Sequence, residues 1–598
     1  ERKSGNAAPL ETVGGSLLAF RGEHVLAVLS GPALWDESGL EKGAAVYHFD
    51  LAPGESAQVF AVLPAFPATA QDVARFSEPA ASLDRVMAYW QEVLAPMTQI
   101  ETPDPLLNNI VRASQVHCLL AARNEERGKY VAAYISADRY GPLESEAHSV
   151  IRGMDLLGAQ EYARRALEYF VKRYAPEVHL TTGYTLMGTG WHLWTLAEHF
   201  QRTGDTAWLA AIAPDVARAC GWVARECEKT KVNDARGAPL PEYGLVPPGV
   251  AADWNRFAYR FIQEGHYYAG LAQAAAALAA VGHPDAPALE QAAAALRGNV
   301  QRAYRLTQDN SPVLPLADGT WVRPYPGMLN CFGRIEDMIP GEDANRSWAY
   351  DVELGAHHLA LLGVLDPQSR EVGDMLDHME DFWFLHSGMG DYPEERNRAD
   401  WFNLGGWAKI QPYYARNAEL YALRDDIKPF IRSYFNTIPT LLSLENLSFW
   451  EHFHNMGGWN KTHETGYFLA QTRTMFVMER GNELWLALFV PEQWFGPGQR
   501  VSVQQAPTTF GAVGFALMTD ATGKELSAEI SPPATSGGRP GERTRKPVEA
   551  IVLRLRPLGQ HAPRDIQVAG AEVLRIDQAT ATVHLKPGSD LITLRVTL

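Results

Sequence analysis

The sequence predicts a mainly α protein: an (α/α)6 toroid preceded by part of a β-sandwich and followed by a second β-sandwich domain. Three observations predict it. Helical periodicity runs from Asp104 to about Arg480, while short β-branched and aromatic runs occupy both ends of the chain. Within the helical region, tight turns alternate with long connections. The long connections carry carboxylates and tryptophans, as loops that build a pocket do.

The elements follow in order. Ser16-Leu17-Leu18-Ala19-Phe20, His24-Val25-Leu26-Ala27-Val28-Leu29, Val46-Tyr47-His48-Phe49 and Gln58-Val59-Phe60-Ala61-Val62-Leu63 read as strands of a domain over 1–80. So few strands suggest the tail end of a larger sandwich. A helical linker is expected over 81–103, with its helix at about 82–95. In the 104–480 region, helices are predicted at 105–124, 144–157, 159–174, 187–203, 206–230, 257–281, 285–306, 345–364, 368–385, 403–422, 427–443 and 463–479. Gly158, Thr203-Gly204-Asp205, Gly282-His283-Pro284-Asp285, Asp366-Pro367 and Arg424-Asp425-Asp426 supply tight turns. The stretches 125–143, 175–186, 231–256, 307–344, 386–402 and 444–462 are the long connections. Helical hairpins repeated in this way stack with their tight turns at one end and their long loops at the other. The helices entered from long loops then form the inner ring, and their N-termini converge on one face. Beyond Arg480, runs such as Leu484-Trp485-Leu486-Ala487-Leu488-Phe489-Val490 and Leu591-Ile592-Thr593-Leu594-Arg595-Val596 predict the terminal sandwich over 481–598.

Bulk properties narrow the function. The chain has 598 residues, too many for one ordinary core, and 46% of them are hydrophobic. A net charge of -17 with no basic run argues against nucleic acid and membrane surfaces as partners. The four cysteines show no metal spacing, and Cys220 and Cys227 lie about 10 Å apart along a helix, too far to bridge. No cofactor and no metal ligand set is expected, with a structural calcium ion and a homodimer left open. No apolar run near 18 residues is present, and a cytoplasmic location is favoured slightly over a periplasmic or secreted one.

The richest stretch is 444–465, with Trp450-Glu451-His452-Phe453-His454 and Trp459-Asn460-Lys461-Thr462-His463-Glu464. Three carboxylates, three histidines and two tryptophans fall within it. Tryptophan offers a flat apolar face with an N–H handle, and carboxylates accept sugar hydroxyls or move protons, so the mixture points to carbohydrate chemistry. The structural alternative is a buried polar connection whose carboxylates cap helices.

The element order and these motifs resemble the six-hairpin glycosidases, most closely the bacterial α-L-rhamnosidases, with glucoamylases and glycoside phosphorylases more distant. In rhamnosidases the base follows tryptophan in a Trp-Glu pair before the last inner helix, with a histidine soon after; Trp450-Glu451 and Thr462-His463-Glu464 stand there. Their acid lies in an Asp…Arg…Glu run before the first inner helix. The run Ala137-Asp138-Arg139-Tyr140-Gly141-Pro142-Leu143-Glu144 is similar, though its spacing differs and that family's Cys-Pro is missing. The resemblance implies an inverting hydrolase that releases a terminal sugar from an oligosaccharide or glycoconjugate.

Such chemistry needs two carboxyl groups, one protonating the leaving oxygen and one activating water. Glu451 is the expected base, with Glu464 and Glu445 as rivals. The acid stays open among Glu144, Asp253 ahead of Trp254 (the loop from which glucoamylases supply theirs), and Asp343 beside Glu342. Glu144 and Glu464 could equally be first-turn helix acids, and Asp253 an N-cap. Substrate contacts are expected from Asp138, Arg139, Trp191, Trp254, Asp343, Trp348, Trp407, Trp450, His463 and Glu464. Trp194, Trp401 and Trp459 also lie in or just after long loops; any one alone is more often core, but eight tryptophans together cannot all be. A polysaccharide lyase working through Tyr140, Tyr350, His454 or His463 is the main alternative. A phosphorylase and a non-catalytic sugar-binding protein complete the set.

Overall fold

The computed structural model describes residues 10–13, 16–31, 35–76, 79–137, 140–174, 188–251, 254–316, 318–332, 353–380, 412–451, 459–534, 547–556, 564–588 and 590–597. The protein is an α-helical toroid with β-rich parts on both sides. It divides into two compact units, residues 1–95 and 96–598.

In the first unit, Leu10–Val13, Ser16–Arg21, His24–Ser30 and Phe60–Val62 pair as an antiparallel sheet. Leu18, Val25, Val28 and Ala68 form its core. Trp35–Asp36 and Val46–Tyr47 make a separate ribbon, and helix α1 (Pro79–Leu94) ends the unit.

The second unit opens with the strand Gln99–Glu101 and then α2 (Pro105–Ala121), started by Asp104, whose carboxylate accepts the Leu106 and Leu107 N–H groups, and by Pro105. There follow α3 (Glu144–Leu156), α4 (Gln160–Lys172), α5 (Gly188–Thr203), α6 (Thr206–Lys229), α7 (Phe261–Ala280) and α8 (Ala286–Asp309). After them come α9 (His358–Leu361), α10 (Arg370–His378), α11 (Pro412–Ala415), α12 (Asn417–Arg424), α13 (Ile427–Leu441) and α14 (Thr462–Phe476).

The inner helices close a ring. Helix α3 packs on α5, α5 on α7, α7 on α9, α9 on α12, and α11 and α12 on α14, which returns to α3. Outside it, α4 lies on α3 and α5, α6 on α5 and α7, and α13 on α12 and α14. The hairpin of α14 is completed by α2, from the other end of the helical region. Glycine makes the closure tight: a Cβ on Gly153 would stand 2.1 Å from the Gly466 carbonyl oxygen, and one on Gly270 2.2 Å from that of Gly190. Backbones can approach this closely only where no side chain intervenes.

A buried polar belt ties α3, α5 and α12 together. Asp155 accepts from His199 Nδ1 at 2.9 Å and from Arg202 at 2.6 Å. Arg152 joins Glu198 and Glu419, and Arg416 also bonds Glu419. Burial alone would raise the Glu419 carboxyl, but Arg152 and Arg416 hold it down to about 2.

Several helix bounds differ from the sequence reading, among them α2, which ends at Ala121 because Arg123–Glu125 is a strand. Helix α7 starts at Phe261 because Trp254–Ala258 pairs back on Gly249–Ala251. The fifth inner helix breaks at Arg416, whose φ is 49°. The last one stops at Phe476, since Val477–Arg480 turns into a strand against Glu483–Leu486. From there a five-stranded and a six-stranded sheet form, the second with Gln99–Glu101 on its edge against Arg500–Thr508. No helix among the described residues is long and apolar enough to cross a membrane.

Candidate active site

The loop carrying Trp450 and Glu451 is fixed at both ends. After α13, Leu442 bridges Phe449, and the Trp450 N–H donates to the Leu441 carbonyl at 2.8 Å. Phe449 is fully buried against Phe468, and its carbonyl accepts the Lys461 N–H at 2.8 Å. Glu451 therefore projects from a pinned strand-like segment next to the start of α14.

That start is joined to the loop leading into α3. The Thr462 N–H donates to the Ile135 carbonyl at 2.9 Å, the Thr462 hydroxyl to that of Tyr134, and Ser136 bridges Lys461. Ser149 on α3 donates to the His463 carbonyl at 2.8 Å. Glu451 and Glu144, far apart in sequence, thus belong to the same rim of the ring.

At the rim, Lys461 Nζ is 3.0 Å from Glu451, with 1% of the lysine side chain exposed and 18% of the glutamate's. The same ammonium stands 3.7 Å from the centroid of the Tyr140 ring. Glu464, in the first turn of α14, accepts the Tyr413 N–H at 3.1 Å through Oε2, while its Oε1 is buried with no hydrogen bond among the described residues and 3.7 Å from His463 Nε2. Burial pushes the Glu464 carboxyl well above the usual range; Glu353 and Glu451 push it the same way, against the Tyr413 N–H and Lys461. A buried carboxyl whose ionisation is disfavoured thus stands near a carboxylate that faces an ammonium and solvent. Neighbouring carboxyl groups with environments this different are suited to acid and base work.

The other expected site residues fall into three groups. Glu144, at the first position of α3, and His463 are buried in the rim. Trp450 is half-buried beside Glu451, with an indole N–H lacking an acceptor among the described residues, and Trp459 is exposed nearby. Trp191 takes a different place from Trp450. It lies inside the ring, 3% exposed, stacked on His266 at 4.5 Å and on Tyr413 at 5.7 Å, so no open face remains for a sugar. Trp194 is likewise taken up, with Arg152 and Arg416 over its ring at 4.8 and 4.6 Å. Asp138, Arg139, Asp253, Asp343, Trp348 and Trp407 lie outside the described residues, as do Glu342, Trp401, Tyr350 and His454; the Trp254 backbone is in a strand, and its side chain is outside them too.

Lys461, Glu353 and Tyr413 were not singled out from the sequence. Lys461 alone left a signal, a lysine inside the acidic and aromatic stretch. Among the described residues no group of three or more His, Cys, Asp or Glu could hold a metal ion.

Below the loop that leads to Asp253, Glu264 on α7 accepts the Val246 N–H at 3.1 Å, and burial pushes its carboxyl up to about 8. The folded state therefore favours the protonated acid, so stability falls as pH rises from about 4.5, its unfolded value, to about 8, and levels off above. Glu264→Gln removes that ionisation and keeps the acceptor. Its Tm is expected to exceed the wild type's by a few degrees at pH 9 and to match it near pH 5, measured by calorimetry. Parallel curves would contradict the assignment.

Solved structures to which this chain is similar include three glycosidases. The α-L-rhamnosidase from Dictyoglumus thermophilum matches with 9% identity and a TM-score of 0.46, over 84% of this chain and 50% of that one. A bacterial glucoamylase complexed with acarbose matches with 12% identity and a TM-score of 0.46, over 77% and 72%. A GH78 family rhamnosidase of Bacillus sp. GL1 matches with 12% identity and a TM-score of 0.39, over 74% and 41%. The chain spans half the length of the Dictyoglumus enzyme. No protein-family model and no curated protein matches it.

Proposed function

We propose that the protein is a glycoside hydrolase that removes a terminal sugar from an oligosaccharide or glycoconjugate with inversion at the anomeric carbon. Glu451 is the base. Its carboxylate takes a proton from water as the water oxygen attacks the anomeric carbon, while a second carboxyl group protonates the departing oxygen. That acid is Glu144, Asp253 or Asp343. Inversion requires about 6.5–9.5 Å between the two carboxyl groups, to leave room for the water.

The observation that carries the reading is the placement of Glu451: a carboxylate on a pinned loop at the rim where the inner helices begin, partly open to solvent and paired with the buried Lys461 ammonium. The Trp450-Glu451 and Thr462-His463-Glu464 motifs support it, and Trp450 supplies an apolar face with an N–H for a sugar ring. Neither nucleic acid nor a membrane is a partner in this reading.

The test is a panel of aryl glycosides beginning with the α-L-rhamnoside, assayed with and without phosphate. Expected is release of the free sugar, independent of phosphate, with the inverted anomer seen first by proton NMR. A product with an unsaturated end absorbing in the near ultraviolet would establish a lyase. A sugar phosphate would establish a phosphorylase, and binding without turnover a sugar-binding protein.

A further inference from the structure

We propose that Lys461 is a positioning residue for catalysis: it keeps Glu451 ionised and aimed, and ties the base loop to the loop that leads into Glu144. This rests on the hydrolase reading and adds a residue to it.

Three observations carry it. The ammonium is buried, and the Glu451 carboxylate at 3.0 Å is its ion-pair partner. A buried cation next to a partly exposed carboxylate favours the charged form of that carboxylate, the form a base needs. The groups that face the pair are Tyr140, whose ring lies beneath the ammonium, and the acid Glu464, which Glu353 faces in turn. With Glu464 held protonated, Lys461 is the described cation on which Glu451 leans. Lastly, the Lys461 backbone is fixed on both sides, bridged to Ser136 and donating to the Phe449 carbonyl. The base loop and the loop that leads into Glu144, one of the three candidate acids, are therefore both anchored on this residue. An ion pair made only for stability would not need to stand on an aromatic ring of that second loop, at the end of the ring open to solvent.

The experiment is the pH dependence of kcat/KM for Lys461→Met and Lys461→Arg. Losing the cation should move the acid limb of the Met variant up by about 1–2 pH units, so that activity falls about 10-fold or more at the wild-type limb and recovers toward alkaline pH. The Arg variant, which keeps the charge, should retain the wild-type limb. If Lys461→Met does not fold, Tyr140→Leu, which removes the ring beneath the ammonium, should move the limb in the same direction by a smaller amount. A Met variant with lowered Tm and an unmoved limb, or an unmoved limb in the Tyr140 variant, overturns the inference. Glu451→Gln is measured alongside: if it is inactive while the limb of Lys461→Met stays in place, only the role of Lys461 fails. If it turns over normally, the assignment of Glu451 as the base fails, and the role of Lys461 with it.

Discussion

Glu451→Gln should lower kcat/KM by roughly 10³-fold on any substrate the wild type hydrolyses, the range expected for loss of a general base. Glutamine keeps the shape and an acceptor oxygen for Lys461, but cannot take a proton from water. The substitution also leaves a buried ammonium without its counter-charge, which can cost a few kcal/mol of stability. Stability and chemistry are separated by the double variant Glu451→Gln/Lys461→Met. It has no stranded charge, so its Tm should return toward the wild type's while its activity stays lost. A double variant that regains both would mean that Glu451 acts only as a counter-ion.

The second large effect lies at the opposite end of the ring. Asp425, in the tight turn after α12, has a φ of 65° and caps that helix. Its carboxylate accepts two bonds from Arg554, at 2.9 and 2.6 Å, and one from Arg480 at 2.9 Å. Both guanidinium groups lie over Trp485, at 5.3 and 4.4 Å. The turn of the fifth hairpin is thereby clamped to the terminal β domain. Asp425→Ala would leave Arg554, 1% exposed, with the Leu488 carbonyl as its one hydrogen-bond acceptor among the described residues, and should cost about 3–5 kcal/mol. Asp425→Asn tolerates the left-handed backbone and keeps an acceptor, so it should lose less. Burial works to raise the Asp425 carboxyl, but the two arginines hold it below its ordinary value, so the clamp's contribution is present above about pH 3.8 and is lost as pH falls below it. Denaturant melts of both variants at pH 7 and pH 3 check this: the gap between Asp425→Ala and wild type should narrow at pH 3. Equal stability of all three proteins at pH 7 would remove the clamp.

The ring was legible in the sequence because its two signals are local. Apolar periodicity marks the helices, and turn residues such as Gly158 and Arg424-Asp425-Asp426 mark the tight end, whatever the chain does elsewhere. The Asp425 clamp was not legible, since Arg554 is 129 residues away and its pairing depends on how the terminal sheets meet the ring. The same limit separated the tryptophans. Trp191 and Trp450 look alike beside long loops, yet Trp191 is one turn into its helix and faces the bore, where His266 and Tyr413 cover it, while Trp450 stays on the rim. Glu464, a rival base and expected substrate contact that could equally be a first-turn acid, does stand in the first turn of α14. Its raised carboxyl comes from burial and from the nearby charges of Glu353 and Glu451, which outweigh the Tyr413 N–H and which no spacing encodes. Lys461 stood within the quoted stretch, but the direction of its side chain is set by the loop before α3.

The most direct test replaces the base with a space and supplies the nucleophile from outside. Glu451→Ala, given an aryl glycoside that the wild type cleaves and sodium azide, should regain turnover in proportion to azide and yield the glycosyl azide of inverted configuration, identified by NMR. Azide needs no proton removed, so it works where water no longer can. Turnover by Glu451→Ala at the wild-type rate without azide, or a glycosyl azide of retained configuration, would contradict the account.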